Sequence, residues 1–80
     1  MIYPCQIRAA RALIGMSQQE LAVRSSVGLA TIKRIEAVGS EITGTAKTLV
    51  KIQKALEAAG IRFIDEADGA GPGLRLMRPL

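Results

Sequence analysis

The sequence predicts a mainly α protein in which four short helices are followed by a C-terminal β-hairpin. Three observations lead there. Between Pro4 and Ala59, apolar residues recur at spacings of three and four, the period of one helical face, in blocks separated by Gly- and Ser-containing breaks. Beyond Gly60 the period drops to two, as on a strand. The chain is 49% hydrophobic, yet its aromatic residues are only Tyr3 and Phe63, so the core has to be aliphatic, which suits short helices packed on one another.

The first helix is expected over Pro4–Ile14. Proline is tolerated at a helix start because its missing N–H would be an orphan there. Ile7, Ala10 and Ile14 form an inward stripe with Leu13 beside it, and Gly15 accepts the left-handed conformation common just past a helix end. Met16 then precedes a capping box. Ser17 can accept from the backbone N–H three residues on, while Glu20 reaches back to the Ser17 N–H. Leu21, Ala22 and Ser25 recur on one face of this second helix. After a corner at Ser26, Val27, Ile32 and Ile35 supply the inward positions of a third helix over Gly28–Ala37, leaving Leu29, Ala30, Lys33 and Arg34 on the outer arc and Thr31 on its flank.

Residues 38–44 read as a loop by their Gly and Ser content. Thr45 caps the fourth helix, whose inward face is Leu49, Ile52, Leu56 and Ala59 and whose stop is Gly60. Lys47, Lys51 and Lys54 line its other side, as the solvated face of an amphipathic helix does. The alternation at 61–63 and 74–77 then predicts a hairpin joined by a long loop, with Ile61, Phe63, Leu74 and Leu76 sharing one face. A two-stranded hairpin alone is marginal in water, so that face should lie on the helices or meet a second chain. It is a candidate dimerisation element, and the chain divides into residues 1–60 and an extension of residues 61–80.

The stretch from Arg11 to Glu36 resembles the helix-turn-helix of the Cro and phage-repressor (XRE-like) transcriptional regulators. The residues that carry the resemblance are Gln18 at the start of the first motif helix, Leu21, the small Ala22 at the helix crossing, Val27 after the turn, and Ile32 and Ile35 beneath the second helix. The motif spans 17–36, and Ser26 departs from the glycine usual at the turn. The resemblance implies a four- to five-helix lambda-repressor-like DNA-binding domain, a structural ion pair between Arg11 and Glu36, and a homodimer on a roughly palindromic double-stranded operator. The expected DNA-facing set is Ser17, Gln18, Gly28, Leu29, Ala30, Thr31, Lys33 and Arg34.

Elementary chemistry gives several of these residues distinct roles. The free N–H groups and positive dipole end at the start of the second helix attract a phosphate, and Gln18 adds side-chain donors. Arg34 can bond a guanine O6 and N7 bidentately, whereas Lys33 suits a phosphate. Leu29 and Ala30 either pack on a thymine methyl or make a contact with protein. The resemblance also implies that Thr43 and Thr45, near the start of the fourth helix, can touch the DNA backbone.

Charge agrees with an anionic partner. The net charge is +4, and residues 1–64 hold nine Lys and Arg against four acids, while residues 65–80 hold two against three. The chain has no His and no Cys/His metal spacing, so enzymatic chemistry and cofactors are not expected. Gly69, Gly71 and Gly73 lack the following helix and GK[ST] of a phosphate loop and read as a turn. Cys5 is the single cysteine and is given no redox role. With neither a signal peptide nor a long apolar run, it points to the cytoplasm and away from membranes. Two other functions fit the same motif: an antitoxin that adds a toxin-binding surface, or a protein-interaction module that reads no DNA.

Overall fold

The computed structural model describes residues 1–37 and 44–80. In chain order they form α1 (Pro4–Ile14), α2 (Gln18–Ser25), α3 (Leu29–Glu36), α4 (Ala46–Ala58), β1 (Ile61–Ile64) and β2 (Gly73–Leu76). The loop expected at 38–44 falls, except for Gly44, outside the described residues, as does Thr43.

Each helix begins and ends where local chemistry requires. Tyr3 stands before α1 in an extended conformation, with Pro4 at the first helical position. Gly15 takes φ 67°, the left-handed cap that a side chain would resist. At α2 the Ser17 Oγ accepts from the Glu20 N–H at 3.0 Å and the Glu20 carboxylate accepts from the Ser17 N–H at 3.4 Å, completing the reciprocal cap. Thr45 Oγ1 does the same for the Thr48 N–H at 3.2 Å. Met16 and Leu21, before and after the α2 cap, are both buried in the core.

The corner between α2 and α3 is built by two serines. Ser26 holds φ 57°, and the buried Ser25 hydroxyl donates to the Leu21 carbonyl at 2.6 Å while accepting from the Val27 N–H at 3.3 Å. Ser25 therefore satisfies backbone groups that the turn would otherwise strand. The core is aliphatic. Ile7, Leu21, Ile32, Ile35, Leu49, Ile52 and Leu56 are the large side chains shut off from solvent, and α2 packs on α3 and α4 around them.

The hairpin is antiparallel, with Ile61 opposite Leu76 and Phe63 opposite Leu74. Its connection is tighter than a long loop. Ala67 and Ala70 exchange both backbone hydrogen bonds, at 3.2 and 2.9 Å, around Asp68 and Gly69, whose φ values of 52° and 77° are the signature of a type I′ turn. β2 packs on α1 and β1 on α4. Ile61 is buried in the core, and Phe63, Leu74 and Leu76 pack half-buried against it. These four residues, offered as a dimer surface from the sequence, are thus committed to the helices, because a two-stranded sheet needs that apolar support within its own chain.

Gln6 adds a polar tie that the apolar pattern missed. Its buried side chain accepts from the Tyr3 N–H at 2.8 Å and donates to the Gly73 carbonyl at 2.8 Å, joining α1 to the hairpin. Nearby, the Tyr3 hydroxyl donates to Glu66 at 2.6 Å. At the other end Arg78 lies over Gly60 and donates to the Ala59 carbonyl at 2.9 Å, covering the end of α4. Among the described residues no buried side-chain nitrogen or oxygen lacks a partner.

Candidate nucleic-acid interface

Three helices meet at Glu36, and its environment decides the shape of this surface. Glu36 ends α3 on the same side as the inward Ile32, so the helix carries its carboxylate into the protein, where the side chain is only 4% exposed. A buried carboxylate requires donors. Arg11, from the last turn of α1, supplies a fork: Nε at 2.8 Å from Oε2 and Nη2 at 2.5 Å from Oε1. The pairing holds the guanidinium above its ordinary pKa, with burial working partly against it. Gln18 Nε2 donates to the same Oε1 at 3.3 Å, and Arg11 Nη1 donates to the Met16 carbonyl at 3.0 Å. Arg8, which periodicity did not single out, donates to the Glu36 carbonyl at 2.5 Å and so caps the end of α3.

Arg8, Arg11, Gln18, Lys33, Glu36 and Ala37 line an open cleft of about 480 Å³ between α1, α2 and α3. Three cations against one carboxylate leave it positive. On its border the first turn of α2 offers the Gln18 and Gln19 N–H groups, which have no partner among the described residues because Ser17 satisfies only the groups beyond them. Gln18 is half-buried, with its amide turned toward Glu36. The Ser17 side chain is occupied as a cap.

On α3, Ala30, Lys33 and Arg34 are exposed, and Gly28 stands at the helix entrance, also exposed. Thr31 is half-buried on the flank. Leu29 requires a correction: it packs half-buried against the core and does not stand on the open arc with Ala30. The reason is angular. At about 100° per residue Leu29 lies roughly 60° from Ile32 and about 20° from Glu36, both inward. The arc is therefore smaller and more basic than periodicity suggested.

Lys47, Lys51 and Lys54 are exposed along α4, and Thr45 is exposed but engaged in its cap. Cys5 is exposed in the first turn of α1. No helix among the described residues is long and apolar enough to cross a membrane.

A family model described as helix-turn-helix matches residues 7–61, which takes in most of α1, the whole of α2, α3 and α4, and the first residue of β1. No curated protein matches the chain.

Proposed function

Since the chain belongs to the Cro/C1-type helix-turn-helix family of DNA-binding regulators, we propose that it is a sequence-specific transcriptional regulator that places α3 in the major groove of double-stranded DNA. One observation carries this reading: Gln18, at the open end of α2, and Lys33, on the outward side of α3, line the same positive cleft. A phosphate held at the first turn of α2 would set α3 beside the groove next to that phosphate. Arg34 and Ala30 then face the base edges, Arg34 for a guanine and Ala30 for a thymine methyl. Lys33, the second side-chain amide hydrogen of Gln18 and the free N–H groups beside it hold the backbone, with Gly28 and Thr31 at the margins of the contact and Ser17 acting through its cap.

The chain would act as a homodimer on a roughly palindromic operator with half-sites about 34 Å apart or a multiple of that. No catalytic step enters this function. The half-burial of Leu29 removes an apolar residue from the arc and with it the main support for a module that binds only protein.

Selection of bound sequences from a random duplex pool, followed by titration at several salt concentrations, tests this reading. Binding should weaken with salt at about 0.9 in log K per log salt for each phosphate neutralised. Arg34→Ala should relax the preference at one position per half-site, at about 1 to 3 kcal/mol, while Gln18→Ala weakens all duplexes alike. Absence of salt-sensitive duplex binding by a folded chain would overturn the proposal.

A further inference from the structure

The outer face of the hairpin holds an arrangement that the fold itself leaves uncompensated. The strand register sets Arg62 directly opposite Arg75. Both are exposed, and neither guanidinium has a hydrogen-bond or ion-pair partner among the described residues. Like charges directly opposite each other weaken a strand pair, so this pair works against the hairpin that carries it. By strand alternation Ile64 and Met77 lie on the same face, one on each side of the arginine row, and are 46% and 56% exposed. Immediately beyond Ile64 the chain becomes acidic, with Asp65, Glu66 and Asp68 all exposed around the turn. The order along the hairpin is Met77, the arginine pair, Ile64, then the acidic turn.

We propose that this face is where two copies of the chain meet, related by a two-fold axis passing beside Ile64. Each copy lays its Arg62 and Arg75 against the carboxylates of the other's turn, with Ile64 against Ile64 at the centre. In a two-fold contact each patch meets its complement twice. Arginine row on arginine row is repulsive, whereas an antiparallel overlay about Ile64 brings opposite charges together at both ends. Arg62 lies two residues before Ile64 and Glu66 two after, so the overlay puts them in register at about 3.3 Å per residue, with Glu66 Oε2 facing the arginine while Oε1 keeps the Tyr3 hydroxyl. The inner face of the hairpin is already spent on the helices, which leaves the outer one for a partner. Strands of four residues make the contact smaller than the standard ~800 Å² per partner, so the dimer is weak in free solution and is reinforced when both copies occupy one operator. The inference deepens the dimeric part of the proposed function and rests on it.

The test is sedimentation equilibrium of the full chain without DNA. The parent should self-associate, less so at high salt. Arg62→Glu/Arg75→Glu and Glu66→Lys/Asp68→Lys should each be folded by circular dichroism and monomeric alone, and an equimolar mixture should form a heterodimer, since each reversed patch then meets its complement. If a reversal prevents folding, Arg62→Gln/Arg75→Gln replaces it and should weaken association about tenfold. Charge variants that dimerise like the parent, or a folded mixture that stays monomeric, would overturn the assignment of this face. A parent that stays monomeric at the highest attainable concentration would overturn both the face and the dimer, while the salt dependence of duplex binding continues to judge DNA recognition separately.

Discussion

Truncating Arg11 should unfold the protein more readily than truncating Glu36, although the two share one ion pair. Arg11→Ala strands a carboxylate whose side chain is 4% exposed and whose remaining side-chain donor is Gln18 at 3.3 Å. Glu36→Ala strands a guanidinium that is 17% exposed, keeps its bond to the Met16 carbonyl and has a long stem with which to reach water. Breaking a buried pair costs about 3 to 5 kcal/mol. Arg11→Ala belongs at the upper end of that range and Glu36→Ala at or below the lower. For a domain of this size, total stability is roughly 4 to 12 kcal/mol at 0.05 to 0.15 kcal/mol per residue. Arg11→Ala thus removes a large share of it, and each kcal/mol moves Tm by about 4 to 8 °C. Urea unfolding followed by circular dichroism gives both values, and the double variant completes a cycle. With no charge left to strand, Arg11→Met/Glu36→Leu should recover much of the loss. Equal costs for the two single variants, or costs below about 1 kcal/mol for both, would refute the account of Glu36 as a buried charge dependent on Arg11.

Three further predictions follow from the backbone and the hairpin. Gly60→Ala puts a Cβ at φ 103° and 2.1 Å from the Arg78 guanidinium, displacing the cap on Ala59, and should cost about 1 to 3 kcal/mol in urea melts. Ser26→Gly relieves a left-handed side-chain conformation at φ 57° and should be neutral or stabilising by up to ~1 kcal/mol, by the same measurement. Tyr3 is the chain's single tyrosine, and its hydrogen bond to Glu66, with the charge of that carboxylate, raises its pKa above the ordinary phenol value. The neutral phenol is the form favoured on folding, so the contact's contribution is present below about pH 10 and is lost as pH rises through the higher folded value. Phenolate absorbance should therefore titrate later in the parent than in Glu66→Gln, and coincident midpoints would rule the contact out.

α1, α2 and α4 were legible because each is announced twice, by an apolar stripe and by a terminal residue with a mechanism, whereas α3 is announced by its stripe alone. Ser17 with Glu20, Thr45, Gly15 and Gly60 punctuate the chain where the structure does. The hairpin was legible as two alternating runs, but its turn was not, even though Asp68-Gly69 is a strong type I′ signal, because the surrounding glycines and proline favour reading a longer loop. Periodicity places side chains only by angle, and that resolution explains what was missed. Leu29 falls outside the stripe of Ile32 and Ile35, and only the burial of Glu36, about 20° away on the helix, marks its position as inward. Gln6 and Arg8 bond across 67 and 28 residues, contacts that helical spacing within one element cannot reveal. Gln6 did have a local sign: it is the third residue of its helix, where a glutamine reaches back to the residue before the helix.

The tie between Gln6 and Gly73 bears on how the molecule opens. Because the first helix and the last strand share a buried amide, neither end of the chain can fray beyond its last few residues without exposing that group. Opening the hairpin must loosen α1, and loosening α1 must release the hairpin. In native-state hydrogen exchange the interior amides of α1 and those of β2 should therefore form one cooperative unit, with a common opening free energy and a common urea dependence. The unit is assembled from the two ends of the sequence, and the helix-turn-helix lies between them.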